Sequence, residues 1–353
     1  MNKLERLPRA SADSAAAASA AFSPRDSGRP LYTALAARLP EEPELVDIVS
    51  HGLAAYPALH LFNCVHYLLL RDPNDPLAQY YATLTDSPAP PEEAFPEFAR
   101  FCKTHRDDIL YLLRTRTIQA TTEERCKMIM PTLSHVADMI GEPLDLIEIG
   151  CSAGILLTFD QYAYDLNGRG RLGPEGAPLT LSLDVQGGPQ LHIPKIGKRI
   201  GLDLRTIDVR SEDERRWILA HCPPEWRDLQ ARLASALDIV ARTEIRFFEG
   251  DALDFLPKLI VESPGPLCIY HSACIVYWSD EAKAALEALL LSASHGREIF
   301  RVGMEPDRQD VWPTKPFMDI VIARYRDGTV DSKVAAQIPN SFGRDTSLFT
   351  WLD

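Results

Sequence analysis

The chain is short of positive charge. Lys and Arg number 37 against 50 Asp and Glu, a formal net charge of −13. Nucleic-acid binding depends on neutralising phosphates, so a nucleic-acid partner is not expected and a small molecule is. Long apolar runs are missing too: none reaches the roughly 18–20 residues of a membrane span. The expectation is therefore no membrane partner. Cysteines number 7, at Cys64, Cys102, Cys126, Cys151, Cys222, Cys268 and Cys274, widely spaced and without a Cys-x-x-Cys pair. That argues against a disulfide framework and fits a reduced, cytoplasmic chain. The 9 histidines show no His-Glu-x-x-His spacing, so no metal site is expected. Residues 1–28 hold an Ala/Ser tract without a Leu-rich core, which reads as a disordered leader rather than a secretory signal. No pattern reports an oligomeric state.

What is present is enough for a sizeable core: 353 residues, 46% hydrophobic. From 29 to 140 the periodicity is helical. Leu61, Val65, Leu68 and Leu69 share one face, and Cys126, Ile129, Met130, Leu133, Val136 and Ile140 share another. From 141 to 353 short apolar strands alternate with helices. Strands are expected at Leu144–Ile149, Arg199–Leu204, Glu244–Glu249, Leu267–Tyr270, Glu298–Val302 and Phe317–Arg324. Ser211 and Ser279 read as helix caps. The pattern predicts an α/β fold: a mostly parallel, Rossmann-like sheet of about seven strands behind an all-helical N-terminal domain. Seven glycines between 167 and 198 flank an alternating run, Leu179–Val185, which reads as an inserted β-hairpin over 167–198.

The central feature is Leu144–Ile149 running into Gly150-Cys151-Ser152-Ala153-Gly154. One reading is a G-x-S-x-G elbow presenting Ser152 as the nucleophile of a serine hydrolase, with Asp251, His271 or His295 later in the chain. That elbow normally follows several strands and an oxyanion loop, and neither precedes it here. The other reading is a glycine-rich turn under a nucleotide-like ligand, followed by an apolar helix. Gly150 allows close backbone approach and Gly154 close packing. Asp203 ends the second core strand, where a carboxylate can accept both ribose hydroxyls. Asp251 ends the third beside the small Ala252, where an acid can read an adenine amino group. Glu148 disfavours a pyrophosphate and suits an ammonium or sulfonium, which points to S-adenosyl-L-methionine rather than NAD.

Glu148-Ile-Gly-Cys-Ser-Ala-Gly154, Gly201-Leu-Asp-Leu204 with Asp208-Val209, and Gly250-Asp251 resemble the first three cofactor motifs of class I SAM-dependent methyltransferases. More narrowly, the chain resembles a bacterial family within that superfamily, domain of unknown function 2332. Val65–Leu70, Phe101-Cys102 with His105-Arg106-Asp107, Arg125-Cys126, Tyr162-x-Tyr164-Asp165, Ile200–Leu204, His271-Ser272 and Met304-Glu305 carry that likeness. The resemblance implies a methyltransferase of unknown acceptor. Two departures stand out: Ser152 replaces a glycine usual in the first motif, and Thr121-Thr122 replace an Asn-Glu pair.

Methyl transfer chiefly needs alignment, and needs a base only if the acceptor must lose a proton. His271, in the loop after the fourth strand, is the candidate base, and Glu305, after the fifth, a candidate acceptor ligand or base. The cofactor candidates are Glu148, Gly150, Cys151, Ser152, Gly154, Asp203, Asp251 and Ala252. Asp160, Tyr162 and Tyr164 are candidates for a substrate wall, and Arg114, Gln119 and Arg125 for holding an anionic acceptor. The remaining alternative is a non-catalytic nucleoside-binding protein.

Overall fold

The computed structural model describes residues 28–53, 56–119, 121–305, 317–339 and 348–352. The expected leader, apart from Gly28, lies outside them. The described chain divides into two compact units. Residues 28–119 join Arg210–Ala234 in one; Thr121–Val209 joins the described residues from 235 onward in the other.

The first unit is helical: α1 (Pro30–Arg38), α2 (Pro43–Ser50), α3 (Pro57–Arg71), α4 (Phe95–Thr104) and α5 (Arg106–Thr115). The sequence between 210 and 234 adds one helix, Glu212–Leu219, and the first half of another, Arg227–Arg242, both numbered below in chain order. Helix α3 is buried on nearly every side, as its continuous apolar run requires. The periodicity across Phe98–Leu113 is divided at His105 into two helices. His66 of α3 is fully buried. Its Nδ1 lies 3.2 Å from the carbonyl of Ala220 and its Nε2 2.8 Å from the Thr83 hydroxyl. A carbonyl only accepts, so Nδ1 carries the proton and Nε2 accepts from Thr83.

Burial lowers the pKa of His66 from 6.5 to about 4. Below pH 6.5 the unfolded chain takes up a proton that the folded chain refuses, so stability falls as pH falls, until both forms are protonated near pH 4. About 3 kcal/mol of the unit's stability is expected to disappear between pH 7 and pH 4 through this residue. Urea unfolding across that range checks it: His66→Gln should flatten the slope, and an unchanged slope would contradict the assignment.

The second unit opens with α6 (Cys126–Ile140) and holds a mixed sheet. Its strands are β1 (Leu144–Ile149), β5 (Asp184–Gln186), β6 (Ile196–Asp203), β7 (Arg246–Glu249), β8 (Leu267–Ser272), β9 (Glu298–Met304), β10 (Phe317–Arg326), β11 (Thr329–Pro339) and β12 (Leu348–Trp351). Between β1 and β5, the strands β2 (Ala163–Asp165), β3 (Arg171–Leu172) and β4 (Thr180–Ser182) form a separate small sheet. After β6 come α7 (Glu212–Leu219) and α8 (Arg227–Arg242), with α9 (Ala252–Val261) after β7 and α10 (Asp280–Ala293) after β8. Ser211 and Ser279 cap α7 and α10 through the N–H groups of Glu214 and Ala282, as the sequence indicates.

The fold expectation needs correcting here. The large sheet has nine strands, in the order β5-β12-β11-β10-β9-β8-β1-β6-β7. From β7 to β9 it is parallel; β9, β10, β11 and β12 then pair antiparallel. This arrangement is α/β but not specific to a Rossmann-like sheet. The antiparallel edge has a local cause. Arg326-Asp327-Gly328-Thr329 makes a two-residue hairpin with positive φ at Asp327 (49°) and Gly328 (74°), the primed turn that joins adjacent antiparallel strands. The segment 167–198 is not an inserted hairpin either. Its alternating run breaks at Leu183, sending β4 to the small sheet and β5 to the edge of the large one.

Candidate functional site

The strand order reverses between β1 and β8, and a ligand in an open α/β sheet sits outside the carboxyl ends of the strands at such a point. Register there places Glu148 beside Gly201 and Tyr270, and Ile149 beside Leu202 and His271. β1 is buried along its whole length, as expected for a strand covered on both faces. Glu148 is therefore a buried carboxyl, hydrogen-bonded by the Tyr270 hydroxyl at 3.2 Å. Burial pushes its pKa well above the usual carboxylate range, with the nearby Arg125 guanidinium opposing. Arg125 precedes α6 and donates to the carbonyl and hydroxyl of Ser272 at 3.1 and 3.3 Å. An acid and a guanidinium thus share the end of β1 and β8. Simple repulsion of anions by Glu148, inferred from sequence, does not hold beside that cation.

The glycine turn is real but differs from the expected cradle. Gly150 has φ of 79° and Gly154 of 77°. No α-helix follows: Leu156–Gln161 is a 3₁₀ turn. The Ile155 carbonyl explains this. It accepts from the Thr158 N–H, the Thr158 hydroxyl and the Tyr162 hydroxyl, which supplant the bond an α-turn would make. The amides point inward as well. Gly150 and Cys151 N–H both bond the Leu202 carbonyl, Ser152 N–H bonds Asp203 at 2.8 Å, and Gly154 N–H bonds the Cys151 carbonyl. These amides are committed, so the turn does not offer them to an anion.

The cofactor candidates divide. Asp203 sits at the end of β6, accepting also from Arg205 N–H at 3.0 Å. Burial raises its pKa, against those two amides. Gly250 N–H bonds the Asp203 carbonyl, bringing Asp251 alongside. Asp251 caps α9 through Leu253 N–H, and Ala252 packs into the core. Cys151 is buried against Gly201, where an added Cβ would lie 2.7 Å from its sulfur, so it is packing rather than a reactive thiol. Gly154 is filled over by Phe247. At Gly150 the neighbour is Cys274, whose Cβ would stand 2.6 Å from an added Cβ. The protein's own side chain occupies the space the sequence assigns to a ligand.

Ser152 holds φ of 50°, and its buried hydroxyl has no hydrogen-bond partner among the described residues. A nucleophilic serine needs a histidine within hydrogen-bond reach, and none pairs with it. Ser152→Gly removes the left-handed strain, an effect of about 1 kcal/mol opposed by unfolded-chain entropy. Stability should stay within about 1 kcal/mol by urea unfolding.

His271 and Glu305 meet. His271 Nδ1 lies 2.6 Å from Glu305 Oε1, while Nε2 has no protein partner among the described residues. The ring packs over Gly303, where an added Cβ would approach it to 2.9 Å. The same carboxylate accepts from Cys274 N–H (2.9 Å) and Val276 N–H (3.0 Å). Glu305 is thus engaged three times over and holds His271 in place rather than facing an acceptor.

The residues expected to wall a substrate make internal contacts instead. Asp160 is locked by Arg199 in a bidentate pair at 2.9 and 2.8 Å. Tyr162 and Tyr164 are fully buried, their hydroxyls bonded to Thr158 and to the Phe159 carbonyl. Arg125 is in the sheet unit. Arg114, exposed on α5, and Gln119, whose N–H bonds His221, belong to the helical unit. Tyr270 and Cys274 are contacts the sequence reading missed. Tyr270's place in the motif-adjacent Tyr-His-Ser run is the one available signal.

Among the described residues no group of three or more His, Cys, Asp or Glu side chains could hold a metal ion, and no helix is long and apolar enough to cross a membrane. No curated protein matches the chain. A family model described as an uncharacterized protein conserved in bacteria matches residues 14–343, nearly the whole length, and the chain therefore belongs to that family, domain of unknown function 2332.

Proposed function

We propose that the chain is a SAM-dependent methyltransferase acting on a small-molecule acceptor. The observation that carries the reading is the His271–Glu305 pair beside the Gly150 turn, with Nε2 uncommitted. The residues suit the cofactor by charge. Arg125 offers donors for the carboxylate of an amino-acid tail and Glu148 acceptor oxygens for its ammonium, a pair of groups that a nicotinamide dinucleotide lacks. Asp203 and Asp251, side by side at the ends of β6 and β7, provide acceptors for sugar hydroxyls and a base.

S-adenosylmethionine, when bound, would supply an electrophilic methyl group on a sulfonium, the electron pair of the broken carbon–sulfur bond leaving with S-adenosylhomocysteine. The chain's residues do the rest. Glu305 fixes the imidazole with its proton on Nδ1, leaving Nε2 to take the proton that the acceptor loses as its new bond to carbon forms. The carboxylates and Arg125 hold the partners in line, an alignment worth about 7–11 kcal/mol in favourable cases. The test is a thermal-shift panel of S-adenosylmethionine, S-adenosylhomocysteine, NAD and ATP. A shift selective for the first two, lost in Asp203→Ala, is expected. A shift for NAD or ATP instead would overturn the reading.

A further inference from the structure

The thiol standing at Gly150 belongs to a segment with its own fastening. Cys274 is the one cysteine of the seven that is not fully buried. It follows Ala273, a non-glycine residue with φ of 52°, and precedes a single 3₁₀ turn, Ile275–Tyr277. Ala273 is held by its N–H on the Met304 carbonyl at 3.0 Å. Beyond it, the N–H groups of Cys274 and Val276 converge on one carboxylate, that of Glu305, whose other oxygen binds His271. Backbone held in a strained conformation by the surrounding contacts is characteristic of active sites, ligand clamps and switch regions.

We infer that residues 273–277 form a lid that closes the glycine turn with the Cys274 side chain, and that Glu305 is its latch. The inference rests on the reading of that turn as a ligand site, and deepens it. A ligand at Gly150 must lift Cys274, and lifting Cys274 pulls two N–H donors from the carboxylate that positions His271. Glu305 is thereby a positioning residue that couples filling of the turn to the setting of the base. Ala273 is the place where the backbone rotates, since leaving the left-handed region there relieves strain.

Alkylation of Cys274 by iodoacetamide, read by peptide mass spectrometry on the full chain without any ligand, tests the latch. Glu305→Ala removes both acceptor oxygens from the two amides. It is expected to raise the labelling rate of Cys274 at least tenfold, while the six buried cysteines label as slowly as in the wild type. His271→Asn leaves both amide tethers in place and should leave the rate unchanged. Equal Cys274 labelling in wild type and Glu305→Ala would overturn the latch. A wild-type measurement guards against a poorly folded variant. The amides of Cys274 and Val276 should exchange hydrogen together, and faster than those of β8; exchange as slow as β8 would overturn the lid. Calorimetry with S-adenosylhomocysteine then addresses the ligand separately. Cys274→Gly should bind at least fivefold tighter than wild type. Absence of binding to both proteins would defeat the methyltransferase reading while leaving the labelling result to decide the latch.

Discussion

His271→Ala is expected to lower turnover by a factor of about 10²–10⁴, the usual contribution of a positioned general base. The measurement is formation of S-adenosylhomocysteine from S-adenosylmethionine with a pool of small-molecule acceptors. In the proposed mechanism His271 takes the acceptor's proton and does not touch the cofactor, so the loss should fall on kcat, with affinity for S-adenosylhomocysteine nearly unchanged. Glu305→Gln should lose less, because the imidazole remains but is less firmly oriented. Removing the ring opens space over Gly303, and added imidazole is expected to restore part of the rate. Full activity in His271→Ala would remove the base from the mechanism. A loss of cofactor affinity with unchanged kcat would make His271 a binding residue instead.

The second large effect is on stability. Arg116, at the end of the α5 region, is buried to 8% exposure. It pairs with Glu214 at 3.1 Å and with Asp213, both in the first turn of α7, and lies over the rings of Tyr67 and Trp217 at 5.6 and 5.4 Å. Tyr67 also donates to Asp213, and the Trp217 indole donates to the Thr117 carbonyl at 3.1 Å. Arg116→Ala strips the cation from an acid of which only 18% of the side chain is exposed and leaves two aromatic faces without their partner. Removing one member of a buried pair costs about 3–5 kcal/mol; the lower figure is expected, since Asp213 keeps half its side-chain surface in water. Urea unfolding followed by tryptophan fluorescence measures it. A loss under about 1 kcal/mol would mean that the pairing contributes no more than a surface bridge.

Much of the sheet was legible because its signals are local. Six strand segments, from Leu144–Ile149 to the one beginning at Phe317, appear where short apolar runs place them, with ends shifted by a few residues. The serine caps of α7 and α10 were legible for the same reason. The antiparallel edge is legible only at its turn, where Asp327-Gly328 is a strong hairpin signal for β11. Other features depend on partners distant in sequence. No periodicity reveals that Arg210–Ala234 packs with the helical unit, or that β5 pairs with β12. At the site, the residue types at Glu148, Asp203, His271 and Glu305 drew notice because acids and histidines at strand ends are conspicuous. Their roles were harder to read. The burial of Tyr162 and Tyr164, the locking of Asp160 by Arg199 and the three donors on Glu305 are all set by tertiary contacts. The absent α-helix after Gly154 depends on side-chain hydroxyls competing for one carbonyl, which a pattern of apolar residues does not report.

The central claim is that Arg125, Glu148 and Asp203 hold a sulfonium nucleoside at the end of β1. Isothermal titration of S-adenosylhomocysteine into the full chain tests it most directly. Saturable binding at one site, weakened at least tenfold by Asp203→Ala and by Arg125→Ala, is the expected result. No saturable binding, or binding that neither substitution alters, would contradict it.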